Sequence, residues 1–129
     1  MFKPAHELVL EARKSVNECS PAAIHEQLTG APDTLLIDVR EPDEYRQGHL
    51  AGSINIPRGM LEFRISNEPQ LQNLSRPIVV YCKTSGRAAL SVVAMQTMGF
   101  TNVLSLAGGF DAWVAEQRAV AKPHEISFD

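Results

Sequence analysis

Much that would announce a function is missing from these 129 residues. There are only two cysteines, Cys19 and Cys82, too few for a disulfide framework or a thiolate metal cluster. The four histidines, His6, His25, His49 and His124, are scattered without zinc-ligand spacing. No metal or other cofactor is expected. No apolar run approaches the length needed to cross a bilayer, so no membrane role is expected. The first fifteen residues carry Lys3, Glu7, Glu11, Arg13 and Lys14 and lack the apolar core of a signal peptide. The location to expect is cytoplasmic. Excess positive charge is absent too: the formal net charge of −3 argues against nucleic acid as a partner. There are no internal repeats and no low-complexity segments.

What remains is ordinary for one globular domain. Hydrophobic residues make up 44% and charged residues 21% of a chain long enough for a proper core. Within it one stretch stands out, Val79-Val80-Tyr81-Cys82-Lys83-Thr84-Ser85-Gly86-Arg87-Ala88-Ala89. Ile78 to Tyr81 reads as a strand buried on both faces. From Ala88 to Met98 the pattern is helical, with Leu90, Val93, Ala94, Thr97 and Met98 on one face and Gly99 as C-cap. Cys82 therefore lies where a strand ends and a helix is about to begin, the place where open α/β sheets bind ligands.

The loop's atoms suggest its chemistry. The backbone amides of Lys83 to Gly86 have no helical partners and can turn toward an anion. The helix dipole adds positive potential, and Lys83 and Arg87 add formal charge. Each favours thiolate over thiol, so the Cys82 pKa is expected to be depressed. Gly86 permits a sharp turn, and Thr84 and Ser85 are hydroxyl donors able to cap the helix. The competing reading is a small buried hydrophobe at position 82. The combination of strand, cysteine, basic glycine-containing loop and helix favours a nucleophile in an anion cradle.

In chain order, residues 2–15 read as an amphipathic helical extension. A short strand from Val16 to Cys19 leads to a helix with Ser20 as N-cap and Pro21 at its first position. Asp33 to Arg40 is a second buried strand, Glu41 to Gly48 a short helix, and the residues up to Pro57 a turn and short strand. Met60 to about Asn67 is helical, Asn102 to Leu106 a strand, and Asp111 to about Arg118 a last helix carrying Trp113 in the core. Residues 119–129 read as a poorly ordered tail. Five strands alternating with helices indicate an α/β fold, a mostly parallel sheet with helices on both faces.

Three separated segments carry a family resemblance: Asp38-Val39-Arg40-Glu41-Pro42-Asp43-Glu44-Tyr45 with Gly48 to Pro57; Val80-Tyr81-Cys82 through Arg87; and Leu106-Ala107-Gly108-Gly109-Phe110-Asp111-Ala112-Trp113. Together they resemble a single-domain rhodanese, with residues 16–118 as the domain. The resemblance implies a rhodanese-like fold and a sulfurtransferase. Cys82 would take a sulfane sulfur from an anionic donor such as thiosulfate, become a persulfide, and pass the sulfur to a thiophilic acceptor. The amides from Lys83 to Arg87 would hold the transferred sulfur, and Arg87, with Lys83, would attract the donor. Small-molecule donor and acceptor are the implied partners, with a protein partner left open. Phosphatases of related fold place five residues between cysteine and arginine, whereas four lie between Cys82 and Arg87. A non-catalytic binding module and a phosphatase or arsenate reductase are the alternatives.

Residues of the second line divide between structure and chemistry. Asp38 and Arg40 are read first as a structural ion pair, with Arg40 bordering the pocket as the functional alternative. His49 is read first as a structural hydrogen-bonding residue and second as a proton shuttle. Cys19 is read as packing, with a resolving thiol for Cys82 left open. Gly108 and Gly109 should form a tight turn beside the loop, and the resemblance implies that Arg58, Met60 and Leu61 line the pocket entrance.

Overall fold

The computed structural model describes residues 1–122. Helix α1 (Ala5–Arg13) precedes strand β1 (Asn17–Cys19), and α2 (Pro21–Gly30) precedes β2 (Leu35–Asp38). Helix α3 (Pro42–Gln47), β3 (Ile54–Asn55) and α4 (Leu61–Asn67) follow, with 3-10 turns at Arg58–Met60 and Pro69–Leu71. Then come β4 (Ile78–Tyr81), α5 (Gly86–Met98), β5 (Val103–Leu106) and α6 (Gly109–Ala115). The strands form one sheet in the order β1-β5-β4-β2-β3, and every pairing is parallel. The α/β architecture inferred from alternation is the one observed.

The cysteine strand β4 is central, so all four of its residues are buried. Its register aligns Asp38 with Tyr81, and the Val39 amide donates to the Tyr81 carbonyl at 3.0 Å. The end of β2 thus sits level with the start of the Cys82 loop. Two apolar layers flank the sheet. One joins Val80, Cys82 and Ile37 to Leu61 and Ile65 of α4 and to Ala88, Val92 and Met95 of α5. The other joins Val79, Tyr81 and Leu106 to Ile24 of α2 and Trp113 of α6.

Local signals act as read. The Ser20 hydroxyl accepts from the Ala23 amide at 3.2 Å, with Pro21 opening α2. Gly99 ends α5 in the left-handed region at φ 110°, where glycine has no Cβ penalty.

One helix and the tail add to the reading of the sequence. The buried residues of α5 are Ala88, Ala89, Ser91, Val92 and Met95, and of these Ala88, Val92 and Met95 pack in the layer of Val80 and Cys82. Leu90 and Val93 instead line a groove shared with Leu8 and Ala12 of α1. Helix α5 is apolar on two sides because it is covered on two sides. The expectation of a poorly ordered tail is corrected. Residues 119–122 are tied down rather than loose: the Trp113 indole donates to the Ala119 carbonyl at 2.9 Å, and Ala121 pairs in an antiparallel bridge with His49. Residues 123–129, with His124, lie outside the described residues.

Candidate active site around Cys82

Cys82 follows β4 directly and is only 1% exposed. Its Sγ receives the Ala88 amide at 3.3 Å, at the start of α5. The loop's conformation is set from outside. The Phe110 amide donates to the Cys82 carbonyl at 2.8 Å, and the Asp111 amide donates to the Lys83 carbonyl at 3.0 Å. In a trans peptide the N–H points opposite to the C=O. Turning these carbonyls toward α6 therefore turns the Lys83 and Thr84 amides the other way, as an anion cradle requires.

Gly109 makes that arrangement possible. A Cβ there would lie 2.2 Å from the Thr84 carbonyl oxygen, 2.5 Å from that of Cys82 and 2.7 Å from that of Lys83. Its φ of 60° is also left-handed. Gly108, at φ 73°, would push a Cβ to 2.6 Å from the Ala112 Cβ. Gly86 is covered from above by α1, where an added Cβ would meet a Val9 methyl at 3.4 Å.

The protonation state of Cys82 departs from the expectation. Burial pushes the thiol up from its ordinary value, and this outweighs the amides of Ala88, Thr84 and Arg87 and the charge of Arg87, which all act downward. The expectation of a depressed pKa failed because depth of burial is not a local property of the loop sequence. The capping expectation fails as well. Ser85 occupies the N-cap of α5, but its side chain makes no cap hydrogen bond. Thr84 is exposed.

Both loop cations are already engaged. The Arg87 guanidinium meets Glu44 end-on, Nη1 to Oε1 at 2.7 Å and Nη2 to Oε2 at 3.0 Å. That hydrogen-bonded cation holds the Glu44 carboxyl down at about 2. Lys83 Nζ donates to Asp111 Oδ2 at 2.7 Å. Neither carboxylate was singled out from sequence. Both lie inside the segments that carry the resemblance, and nothing local ties Glu44 to an arginine 43 positions away.

Asp38 and Arg40 form a buried pair, 0% and 4% exposed. Arg40 Nε donates to both Asp38 oxygens at 3.1 Å, and Nη2 donates to Asp38 Oδ2 at 2.8 Å and to the Gly48 carbonyl at 2.7 Å. Burial works against the Arg40 charge, and the hydrogen-bonded Asp38 carboxylate outweighs it. The guanidinium also lies over the Phe110 ring, 4.3 Å from its centre. Arg40 borders a cavity of about 260 Å³ beside the loop, lined with Glu44, Gln47, Lys83, Phe110 and Asp111. Arg40 thus borders the cavity, and Asp38, fully buried, braces its guanidinium.

His49 stays apart from the loop. Its ring stacks on Tyr45 at 3.7 Å, and its Nδ1 lies 2.9 Å from the Tyr45 carbonyl. Leu61 is fully buried in the same apolar layer as Cys82, so it does not edge an entrance. Arg58 pairs with Glu62 at 2.8 Å, and Met60 is exposed.

Cys19 cannot serve Cys82 as a resolving thiol within the fold. Cys19 pairs with Leu106 of β5, which continues the register of β4 toward Tyr81. Two strand spacings, about 10 Å, separate the two cysteines, beyond disulfide reach. Their side chains also pack into opposite apolar layers.

Among the described residues no cluster of metal-ligating side chains occurs, and no helix is long and apolar enough to cross a membrane.

A family model described as a rhodanese-like domain matches residues 20–116. A sulfurtransferase from Allochromatium vinosum is 29% identical, over 84% of this chain and 97% of its own. A chloroplastic thiosulfate sulfurtransferase from Arabidopsis thaliana is 36% identical, over 67% of this chain and 82% of its own. Among solved structures, a protein of unknown function from Rhodopseudomonas palustris, described as a possible tyrosine phosphatase, superposes with a TM-score of 0.84. It is 32% identical, over 94% of this chain and 96% of its own.

Proposed function

The chain belongs to the rhodanese-like domain family, and we propose that it transfers sulfur through a persulfide on Cys82, with residues 16–118 as the working domain and residues 1–15 as an added helix. The observation that carries this reading is the Cys82 Sγ set against the Ala88 amide inside a loop whose carbonyls are pinned outward by α6. Sulfurtransferase-named relatives support it.

The thiol first loses its proton to solvent. The Cys82 thiolate then attacks the outer sulfur of an anionic sulfane donor such as thiosulfate. The donor's S–S bond breaks, and sulfite leaves with the bonding electrons. The inward amides and the dipole of α5 hold the negative terminal sulfur of the persulfide. A thiophilic acceptor attacks that sulfur and returns Cys82 as thiolate. No metal or cofactor enters this cycle. Asp38 and Arg40 brace the wall, and His49 holds the chain near the tail. The two free cysteines suit a reducing, cytoplasmic setting.

Steady-state transfer from thiosulfate to cyanide or a thiol tests the reading. Parallel double-reciprocal lines, abolished in Cys82→Ser, are expected. Absence of transfer with several sulfane donors would point to a binding module. The phosphatase description of the Rhodopseudomonas palustris neighbour makes a second assay worthwhile. Hydrolysis of an aryl phosphate that depends on Cys82 would contradict the four-residue spacing argument.

A further inference from the structure

Two carboxylates beside the loop have no part in the cycle just described. Glu44 takes both arms of the Arg87 guanidinium, and Asp111 takes the Lys83 ammonium. Arg40, which lines the cavity together with Lys83, is taken by Asp38. Each of these three cations is therefore offset by one carboxylate. Glu44 stays ionised throughout the working pH range, because Arg87 holds its carboxyl at about 2. A doubly charged donor arriving at Cys82 finds each of these three cations already paired with a carboxylate. To gain Arg87 or Lys83 it must lie against a fixed carboxylate, and that repulsion grows with the donor's charge. The cavity beside the loop offers an organic donor an apolar surface that thiosulfate cannot use, the Phe110 ring.

Resting on the sulfur-transfer reading, we infer that Glu44 and Asp111 set the charge preference of the site, turning Cys82 away from dianionic donors and toward organic sulfane donors carrying one negative charge. Both are positioning residues that act through Arg87 and Lys83. Neither changes the bond chemistry. With thiosulfate the Cys82 thiolate takes the outer sulfur and sulfite leaves with the electron pair. With an aryl thiosulfonate the thiolate takes the same sulfur and a singly charged sulfinate leaves. The two donors differ in charge and in the organic group, which makes them a matched pair of probes.

The test compares wild type, Glu44→Gln and Asp111→Asn with thiosulfate and with benzenethiosulfonate. Sulfur loading of Cys82 is read by intact mass, and kcat and KM by steady-state transfer. Both substitutions keep the shape of the side chain, and the glutamine keeps an acceptor for the Glu41 amide that Glu44 now serves. Each variant should raise kcat/KM for thiosulfate by about tenfold, through KM, and change it for benzenethiosulfonate by less than about threefold. The thiosulfate gain should shrink as salt is added. Equal changes with both donors, or a loss with thiosulfate, would overturn the inference while leaving sulfur transfer intact. Failure of wild type to load from either donor would overturn the sulfur-transfer reading and this inference with it.

Discussion

The carbonyl oxygen of Thr84 occupies the space that a side chain at Gly109 would need, 2.2 Å from where its Cβ would be. The start of α6 is thus pressed against the back of the Cys82 loop, and two amide hydrogen bonds from Phe110 and Asp111 hold it there. The loop's shape is a tertiary property, imposed by a helix more than twenty residues downstream.

Gly109→Ala should therefore damage the site more than the fold. The left-handed backbone alone costs about 1–2 kcal/mol, and the clash with backbone oxygens adds to it. We expect a stability loss of at least about 2 kcal/mol by urea titration. We also expect sulfur transfer to fall by a larger factor than the folded fraction does. Wild-type activity in the variant would show that the loop does not depend on this contact.

The buried thiol makes a pH prediction. Burial raises the Cys82 pKa above its ordinary value, so thiolate is the minor form at neutral pH. Alkylation of Cys82 by iodoacetamide should keep accelerating as pH rises through and beyond about 9, tracking the thiolate fraction. A plateau reached below pH 7 would mean that the cradle dominates over burial.

The ion pair between Glu44 and Arg87 predicts a second pH dependence, of opposite kind. The folded-state pKa of Glu44 is lowered from 4.5 to about 2. Its contribution is therefore fully present above 4.5 and is lost as pH falls through 2. The pair is partly exposed, so its worth is on the order of 1 kcal/mol. Glu44→Gln should be less stable than wild type by about that amount at neutral pH, and the gap should close toward pH 2. A gap independent of pH would assign the effect to packing.

How much of this was legible beforehand follows the range of each interaction. Ser20 as a cap, Gly99 as a terminator and the buried run before Cys82 are written in neighbouring residues, and the structure repeats them. The parallel sheet follows from the alternation of such segments. The pairings of Glu44 with Arg87 and of Lys83 with Asp111 join residues far apart in sequence, and no period or spacing announces them. The apolar face of α5 that holds Leu90 and Val93 faces α1, a partner that the helix's own sequence does not name. The tail was misread past Trp113, whose indole needs a partner and finds it at Ala119.

Cys19 offers a clean negative. It lies two strands from Cys82 and on the other face of the sheet. Cys19→Ser should leave turnover within about twofold of wild type, because no exchange between the two thiols is geometrically open. A large loss in steady-state assays would require a partly unfolded or intermolecular route.

The most direct measurement is intact-protein mass after incubation with thiosulfate, in wild type and in Cys82→Ser. A covalent sulfur carried by Cys82 requires a gain of about 32 Da in wild type, absent from the variant and removed by an acceptor. No gain with any sulfane donor, or an equal gain in Cys82→Ser, would contradict the account.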